Sequence, residues 1–225
     1  MLAHLRRACW SAAGLWVHDF DASVVGELLR DFDWVLPPRN RPLALLLTNG
    51  AELWPKFVPA YRASVALQAA SNPLDAWIES TVSALLEPIT ECVHVYYAHR
   101  RYGGGFLPMT RIAEVCGYST TAPCNLAVRL DVGPWLGLRA LVLLDAEAPA
   151  PMNANLSPCS LCAAPCRSLF EQALAGEQHG AGVSDVAPHW KTWLAVRDSC
   201  PIGRQARYSN EQIEYHYTRK RSILD

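Results

Sequence analysis

Apolar and polar positions alternate along the chain in periods typical first of helices and then of strands. Residues 22–34 place apolar side chains at mixed three- and four-residue spacings, which predicts a helix that ends at the following Pro-Pro pair. The run PLALLLTNG predicts a buried strand followed by a turn. Pro55 and Pro59 interrupt the next segment, so a loop or broken short helix is predicted there, followed by a regular helix from Ala60.

The middle of the chain continues this alternation. Asn72 and Pro73 predict the start of a helix over LDAWIESTVSALLE, with Asn as the N-cap and Pro at the first helical position. ECVHVYYAHRR alternates and is rich in β-branched and aromatic residues, which predicts a strand. TRIAEVCGY predicts a helix that ends near Gly117. NLAVRLDVGPWLGLRALVLLD predicts two strands joined around Gly133-Pro134, and RSLFEQALAG predicts a short helix.

Strands and helices in this irregular order predict an α+β or α/β fold with one mostly antiparallel sheet. A hydrophobic content of 51% with 18% charged residues indicates a globular protein. At 225 residues the chain is long enough for one sizeable core. We therefore expect a single domain over residues 1–225, with a cysteine-rich insert at about 157–170.

The formal net charge of −1 gives no electrostatic reason to expect a nucleic-acid partner. No apolar run approaches the ~20 residues of a membrane span, so no membrane association is expected. Ser11, His18 and Asp19 break the apolar N-terminal segment, and no clear cleavage site follows, so a signal peptide is not expected. These signs favour a cytoplasmic location. In a reducing compartment, clustered cysteines more often bind metal or do redox chemistry than form disulfides.

Three cysteines form the motif C-x2-C-x3-C in CSLCAAPC. Thiolates this close, on a chain bent by prolines, can face one ion or cluster, and Cys200 in its Cys-Pro step is the candidate fourth ligand. The spacing favours an iron–sulfur cluster over zinc, while free packing thiols remain a third interpretation. The candidate metal ligands are Cys159, Cys162, Cys166 and Cys200. The scattered cysteines, expected to be structural core thiols, are Cys9, Cys92, Cys116 and Cys124.

Arg139 and Arg197 each lie inside an apolar or aromatic run, WLGLRALVLL and WLAVRDSC. A charge in such a run is costly unless it is paired. Asp198 or another carboxylate could pair with them for a structural purpose. Alternatively, their planar guanidinium groups clamp a carboxylate or phosphate of a ligand. The residues alone leave both interpretations open.

Three longer patterns carry a family resemblance. The C-terminal stretch contains HW-x2-W-x3-RD and then RYS-x-EQ-x2-Y, between His189 and Tyr217. G-x-W-x3-R-x2-V-L-L runs from Gly133 to Leu144, and a weaker match covers PLALLLTNGAELWPKFVPAY and NPLDAWIES. With these patterns the chain resembles the cyanocobalamin reductase/dealkylase family, the cobalamin-processing proteins named for combined methylmalonic aciduria and homocystinuria.

The resemblance implies an α+β fold similar to flavin reductases and nitroreductases, with an antiparallel sheet flanked by helices. It also implies a pocket that binds cobalamin with its lower base detached. In that family a reduced flavin removes cyanide and glutathione thiolate removes alkyl groups. Arg139 and Arg197 match the family's glutathione-contacting arginines. The positions that the resemblance assigns to corrinoid contact are Leu107, Pro108, Met109, Thr110, Trp135 and Leu138.

The chain departs from the family pattern in three ways. Glu114 stands where the family has a pocket histidine, and Thr120, Thr121 and Ala122 replace a tyrosine-rich run. The C-x2-C-x3-C motif and Cys200 are also additions. This cysteine cluster is similar to the iron–sulfur part of epoxyqueuosine reductase, a cobalamin enzyme that shares part of the fold. An iron–sulfur cluster, with 4Fe–4S as one form, therefore stands beside flavin and glutathione as a candidate reductant.

The expected function is that of an oxidoreductase which binds cobalamin, reduces its cobalt and removes the upper axial ligand. Its expected partners are cobalamin and either a reductase or a cobalamin-dependent acceptor protein. One alternative is a cobalamin carrier without catalysis and with a structural zinc. Another is a cobalamin-dependent reductase of an organic substrate.

Overall fold

The computed structural model describes residues 8–32, 34, 36–150, 158–160, 162–177 and 189–225. The chain divides into two compact units. The first, here called the sheet unit, comprises Met1–Tyr118 and Gly137–Asn155; the second, the cysteine unit, comprises Ser119–Leu136 and Leu156–Asp225. The expected single domain with a cysteine-rich insert stays a prediction.

The sheet unit is built on four antiparallel strands. They are β1 (Trp16–Asp21), β2 (Pro42–Asn49), β3 (Cys92–Tyr97) and β8 (Gly137–Glu147), in the spatial order β1-β2-β8-β3. Leu45 of β2 lies opposite Val142 of β8, and every residue of β2 is buried. Strands covered on both faces read as continuous apolar runs, which explains why PLALLLTN and ALVLL occupy the centre of the sheet.

Helices of the sheet unit accompany this sheet. They are α1 (described at 8–12), α2 (Trp54–Ala63), α3 (Val65–Ala69), α4 (Pro73–Leu86) and α5 (Met109–Val115). The predicted α+β class, with an antiparallel sheet flanked by helices, is confirmed. α4 begins at Pro73 and α5 is followed by the left-handed Gly117, both as predicted. α2 begins at Trp54 rather than at Ala60, because Pro55 sits in the first turn, where its missing N–H is tolerated.

The predicted helix over residues 22–34 is wrong. Two short 3-10 helices, Ala22–Val25 and Glu27–Leu29, follow β1 instead. The Asp21 carboxylate accepts the backbone N–H of Ser23 at 3.0 Å and starts the first turn. Gly26, a poor helix former, separates the two turns. The apolar residues of this segment still pack into the core, but two tight turns carry them rather than one continuous helix.

Short hairpins account for two further differences. The predicted strand over residues 91–101 is shorter, because β4 (Arg101–Tyr102) turns back onto β5 (Gly105–Phe106). The predicted pairing of two strands around Gly133-Pro134 is wrong. In the cysteine unit, β7 (Ala127–Val128) pairs with β6 (Thr120–Thr121), whereas β8 pairs with β2 and β3 in the sheet unit.

Three helices of the cysteine unit carry the candidate residues of the C-terminal half. They are α6 (Cys166–Glu177), which confirms the predicted helix, α7 (Trp190–Asp198) and α8 (Asn210–Thr218). Phe170 of α6 meets Trp193 of α7 edge to face, with ring centroids 5.9 Å apart. Most of the Pro- and Ala-rich connection at 146–158 lies outside the described residues. No helix in the described ranges is long and apolar enough to cross a membrane.

Candidate functional site

Five cysteine side chains line one cavity in the cysteine unit, here called the thiol cavity. The other lining residues are alanine, proline, leucine, valine and isoleucine, so none carries a charge. The five thiols are Cys124, Cys159, Cys162, Cys166 and Cys200. The structure thus brings the four predicted metal ligands together, and their role as ligands stays a prediction.

Cys124 is the residue that sequence reasoning missed. It was expected to be a structural core thiol, and it is indeed buried in a hydrophobic cluster that also contains Cys166. The sequence did not indicate that Cys124, in the β6–β7 turn, also lines the thiol cavity. No spacing rule connects a cysteine in a distant hairpin to the CSLCAAPC motif. The one local signal is the turn-forming sequence Pro123-Cys124-Asn125, which places the thiol in a loop rather than in a strand.

A backbone amide is directed at one of these sulfurs. The Sγ of Cys162 accepts the N–H of Ala164, two residues further on, at 3.4 Å. This turn therefore offers a hydrogen-bond donor that stabilises a sulfur carrying negative charge.

The backbone is strained beside two of the cysteines. Asn125 follows Cys124 with φ 61°, and Ala164 lies between Cys162 and Cys166 with φ 51°. The left-handed region costs a non-glycine residue about 1–2 kcal/mol. Among the described residues only Arg219 shares this conformation without being glycine. Such strain concentrates where a structure holds functional groups in place.

Two glycines hold the segment that carries Cys200. Gly133 and Gly203 both have positive φ, 58° and 68°, and their backbones are in close contact. A Cβ on Gly133 would lie 2.0 Å from the carbonyl oxygen of Ile202, and a Cβ on Gly203 would lie 2.0 Å from the carbonyl carbon of Val132. No larger residue fits at either position without moving the backbone. This close contact between the backbones at Gly133 and Gly203 fixes the backbone path directly after Cys200.

Burial raises the pKa of three of these thiols, those of Cys124, Cys159 and Cys200, and so favours their protonated form. It raises the pKa of Cys124 to about 12. It also raises the pKa of Cys159 and of Cys200, and neighbouring sulfurs raise both further. A donor set made only of sulfur suits a soft metal or an iron–sulfur cluster, which binds thiolates and releases their protons. Within the described ranges, no group of three or more His, Cys, Asp or Glu residues is arranged so that it could hold a metal ion.

A second candidate site, here called the tryptophan–arginine cluster, also lies in the cysteine unit. Trp135 is 2% exposed and meets the ring of Tyr208 edge to face, with centroids 5.5 Å apart. The guanidinium groups of Arg197 and Arg207 lie 5.6 Å and 5.4 Å from the centre of the indole. Trp135 therefore makes cation–π contacts with two guanidinium groups. A direct contact between Trp135 and a corrinoid stays a prediction.

The two arginines of this cluster differ in their partners. Arg207 donates to both carboxylate oxygens of Asp198, at 2.7 Å and 3.1 Å. Asp198 is thus the partner of Arg207 and not of Arg197. The Nε of Arg197 is buried and has no hydrogen-bond partner among the described residues. Arg197 therefore has a donor available for a ligand oxygen.

Arg139 lies in the sheet unit, on β8. Its Nε donates to Oδ1 of Asn49 at 2.6 Å. Asn49 is fully buried at the end of β2, and its own amide donates to the carbonyl of Gly50 at 2.7 Å. This pair of bonds sets the direction of the Arg139 side chain. Its proposed contact with a ligand stays a prediction.

The candidate corrinoid contacts in the sheet unit divide by burial. Leu107 and Met109 are only 5% and 7% exposed and belong to one hydrophobic core, against which Leu138 packs. Pro108 and Thr110 are half-buried at the start of α5 and keep surface that a ligand can reach. Glu114, at the position of the family's pocket histidine, forms an ion pair with Arg111 on the same helix.

Neither a protein-family model nor a curated protein sequence matches the chain. Its fold is similar to that of a solved structure from Caenorhabditis elegans, the B12-trafficking protein CblC, a homologue of human MMACHC. The TM-score is 0.69 at 15% sequence identity, over 99% of this chain and 95% of that chain. At this identity the similarity shows the fold. The fold expected from the resemblance to cobalamin-processing proteins is therefore confirmed.

Proposed function

We propose that the chain binds cobalamin, reduces its cobalt and removes the upper axial ligand. The observation that carries this proposal is the similarity in fold to a B12-trafficking protein over 99% of the chain. The sequence patterns at Gly133–Leu144 and His189–Tyr217 support the same family without reference to the structure. A fold alone does not define a function. The site residues supply further support for the proposal, and the experiment below tests it.

Arg139 and Arg197 are the proposed ligand-binding arginines, with glutathione as the anionic ligand. The Nε of Arg197 is buried and lacks an acceptor among the residues that the structure describes, which supports this role, because a ligand carboxylate would supply that acceptor. For the corrinoid we retain Leu107, Pro108, Met109, Thr110, Trp135 and Leu138. The half-buried Pro108 and Thr110 are the best placed of these for direct contact.

An iron–sulfur cluster is our proposed electron source, with flavin or glutathione as the other reductants. Such a cluster supplies single electrons at potentials low enough for difficult reductions. Cys159, Cys162, Cys166 and Cys200 would hold it, and their convergence on one uncharged cavity supports this assignment. The proposal includes a cytoplasmic location, since clusters of free thiols belong to reducing compartments, and a reductase or cobalamin-dependent acceptor as protein partner.

Visible spectroscopy of the full chain, purified without oxygen, tests cobalamin binding and reduction in one sample. Adding cyanocobalamin should shift its spectrum to the form with the lower base detached. A reductant should then convert that spectrum to reduced cobalt faster than in buffer alone. A cobalamin spectrum that stays unchanged in the presence of excess protein would refute the proposal.

A cobalamin carrier without catalysis is the second candidate. The similar protein from C. elegans is described as a trafficking protein, which favours this function. A carrier would detach the lower base without accelerating the reduction of cobalt. Its cysteines would hold a structural zinc, so metal analysis of the purified chain separates the two candidates: iron with sulfide favours the reductase, and zinc favours the carrier.

A further inference from the structure

The thiol cavity contains one more cysteine than the sequence motif and Cys200 account for. Cys124 reaches it from the β6–β7 turn, 35 residues before Cys159 in the chain, and is only 5% exposed. It belongs to the same hydrophobic cluster as Cys166, the first residue of α6. We propose that the thiol cavity binds an iron–sulfur cluster and that Cys124 is one of the thiolates that hold it.

The turn at Cys124 and the loop at Cys162 share one backbone feature, since each contains a left-handed residue that is not glycine, Asn125 and Ala164. The Sγ of Cys162 also accepts the N–H of Ala164 at 3.4 Å. Hydrogen bonds of this kind to cysteine sulfurs help to set the reduction potential of a cluster.

The lining of the cavity agrees with a cationic occupant. Several thiolates in a wall without any charged side chain would be too costly unless a metal centre balanced their charge. Soft thiolate ligands select zinc, copper(I) or iron–sulfur clusters. The cavity offers no nitrogen or oxygen side-chain donor that would favour a harder cation.

Zinc and the common iron–sulfur clusters both take four ligands, so the number of thiols does not separate them. The spacing of the CSLCAAPC motif and the Cys-Pro step at Cys200 favour the cluster.

The inference deepens the cluster part of the proposed function and does not depend on cobalamin binding. Either common cluster takes four cysteines. One of the five thiols is therefore left over, so Cys124 takes the place of Cys159, Cys162 or Cys200 in the set of four proposed above.

Anaerobic reconstitution of the full chain with ferrous iron and sulfide tests this inference. Bound iron and acid-labile sulfide per chain are measured for the parent, Cys124→Ala and Cys166→Ala. Cys116→Ala is the matched control, because Cys116 is a largely buried thiol of the sheet unit that bonds to the carbonyl of Ala113 and does not line the cavity. We expect a several-fold loss of iron and sulfide in Cys124→Ala and in Cys166→Ala, and parent values in the control.

Cys124→Ser separates loss of the ligand from loss of folding, since serine nearly preserves the size of the side chain. Its circular dichroism should match the parent while its cluster is lost or becomes labile. Parent levels of iron and sulfide in Cys124→Ala would overturn the inference, as would a parent chain that binds zinc but forms no cluster. Cobalamin titration of the same samples is read separately. A chain that holds the cluster but leaves the cobalamin spectrum unchanged contradicts the proposed function alone.

Discussion

Replacing Arg197 with alanine should weaken the binding of glutathione, whereas the same change at Arg207 should not. Both guanidinium groups lie over Trp135, at 5.6 Å and 5.4 Å from the ring centre, so the two variants remove similar contacts with the indole. Only Arg207 is already paired, through two hydrogen bonds to Asp198. The Nε of Arg197 is buried and has no hydrogen-bond partner in the described part of the chain, and an unsatisfied donor gains most when a ligand oxygen reaches it.

The size of the effect follows from the bond that is lost. A hydrogen bond to a charged group contributes about 1.5–3 kcal/mol. Since 1.4 kcal/mol is a tenfold change in affinity, Arg197→Ala should raise the Kd for glutathione by roughly 10- to 150-fold. The Arg207–Asp198 pair is 35% and 36% exposed, which limits its contribution to stability to about 1 kcal/mol. Arg207→Ala should therefore lower Tm slightly and leave the Kd unchanged.

Isothermal titration of glutathione into the cobalamin-loaded protein measures both variants against the parent at one salt concentration. Thermal unfolding of the same samples shows whether either variant has lost structure. Equal Kd values for the parent and Arg197→Ala would refute the assignment of Arg197 as a ligand-binding residue. An equal loss of affinity in both variants would show that the indole contact, rather than the free donor, supports binding.

Three further predictions concern other parts of the chain. Gly203→Ala should lower Tm and the bound iron together, because its Cβ would lie 2.0 Å from a neighbouring backbone and a left-handed alanine alone costs about 1–2 kcal/mol. Burial raises the pKa of Glu79, but hydrogen bonds from Arg100 and His99 outweigh it and hold the net pKa below its usual value of 4.5. This carboxylate stabilises the fold above that pH, and the stabilisation is lost as the pH falls through the folded pKa. The free energy of unfolding, measured in urea, should therefore fall more at acid pH for the parent than for Glu79→Gln. Burial raises the pKa of Cys116 to about 12, so iodoacetamide at about pH 8 should leave this thiol unmodified in native protein and modify it after denaturation, as mass spectrometry would show.

The sequence predicted the central strands and several helices because their signals are local. The apolar run of β2 needs cover on both faces, and only a central position in a sheet supplies it. Pro73 and Gly117 mark the ends of α4 and α5 through backbone preferences that hold in any fold. These elements were therefore predictable without knowledge of their neighbours.

Other elements depend on partners that are distant in the sequence. The segment at 125–145 reads as two consecutive strands, yet the first pairs with β6 and the second with β2 and β3. Residues 22–34 have a helical spacing, but Asp21 and Gly26 turn the chain into two short 3-10 helices. Propensity and spacing could not decide either case, because tertiary contacts overrode them.

The candidate sites show the same division. The C-x2-C-x3-C motif and Cys200 could be recognised from spacing, and the structure places all four in one cavity. Cys124 could not, because its relation to Cys166 exists only after the hairpin has folded. The pairing of Asp198 with Arg207, rather than with its neighbour Arg197, was likewise invisible in the sequence.

That pairing also closes the loop that carries Cys200. Asp198 is the last residue of α7, and a loop of eight residues separates it from Arg207. The two hydrogen bonds between Arg207 and Asp198 join the two ends of this loop, which belong to the RD and RYS parts of the sequence pattern. Cys200 lies inside the loop, and Gly203 holds it against Gly133. A residue in the loop can therefore be exchanged for cysteine without disturbing the ion pair at its base. Because the Asp198–Arg207 ion pair closes this loop, a group bound at Cys200 restrains the end of α7. Arg197 lies there, one residue before Asp198. One short segment of the cysteine unit therefore connects the thiol cavity with the tryptophan–arginine cluster.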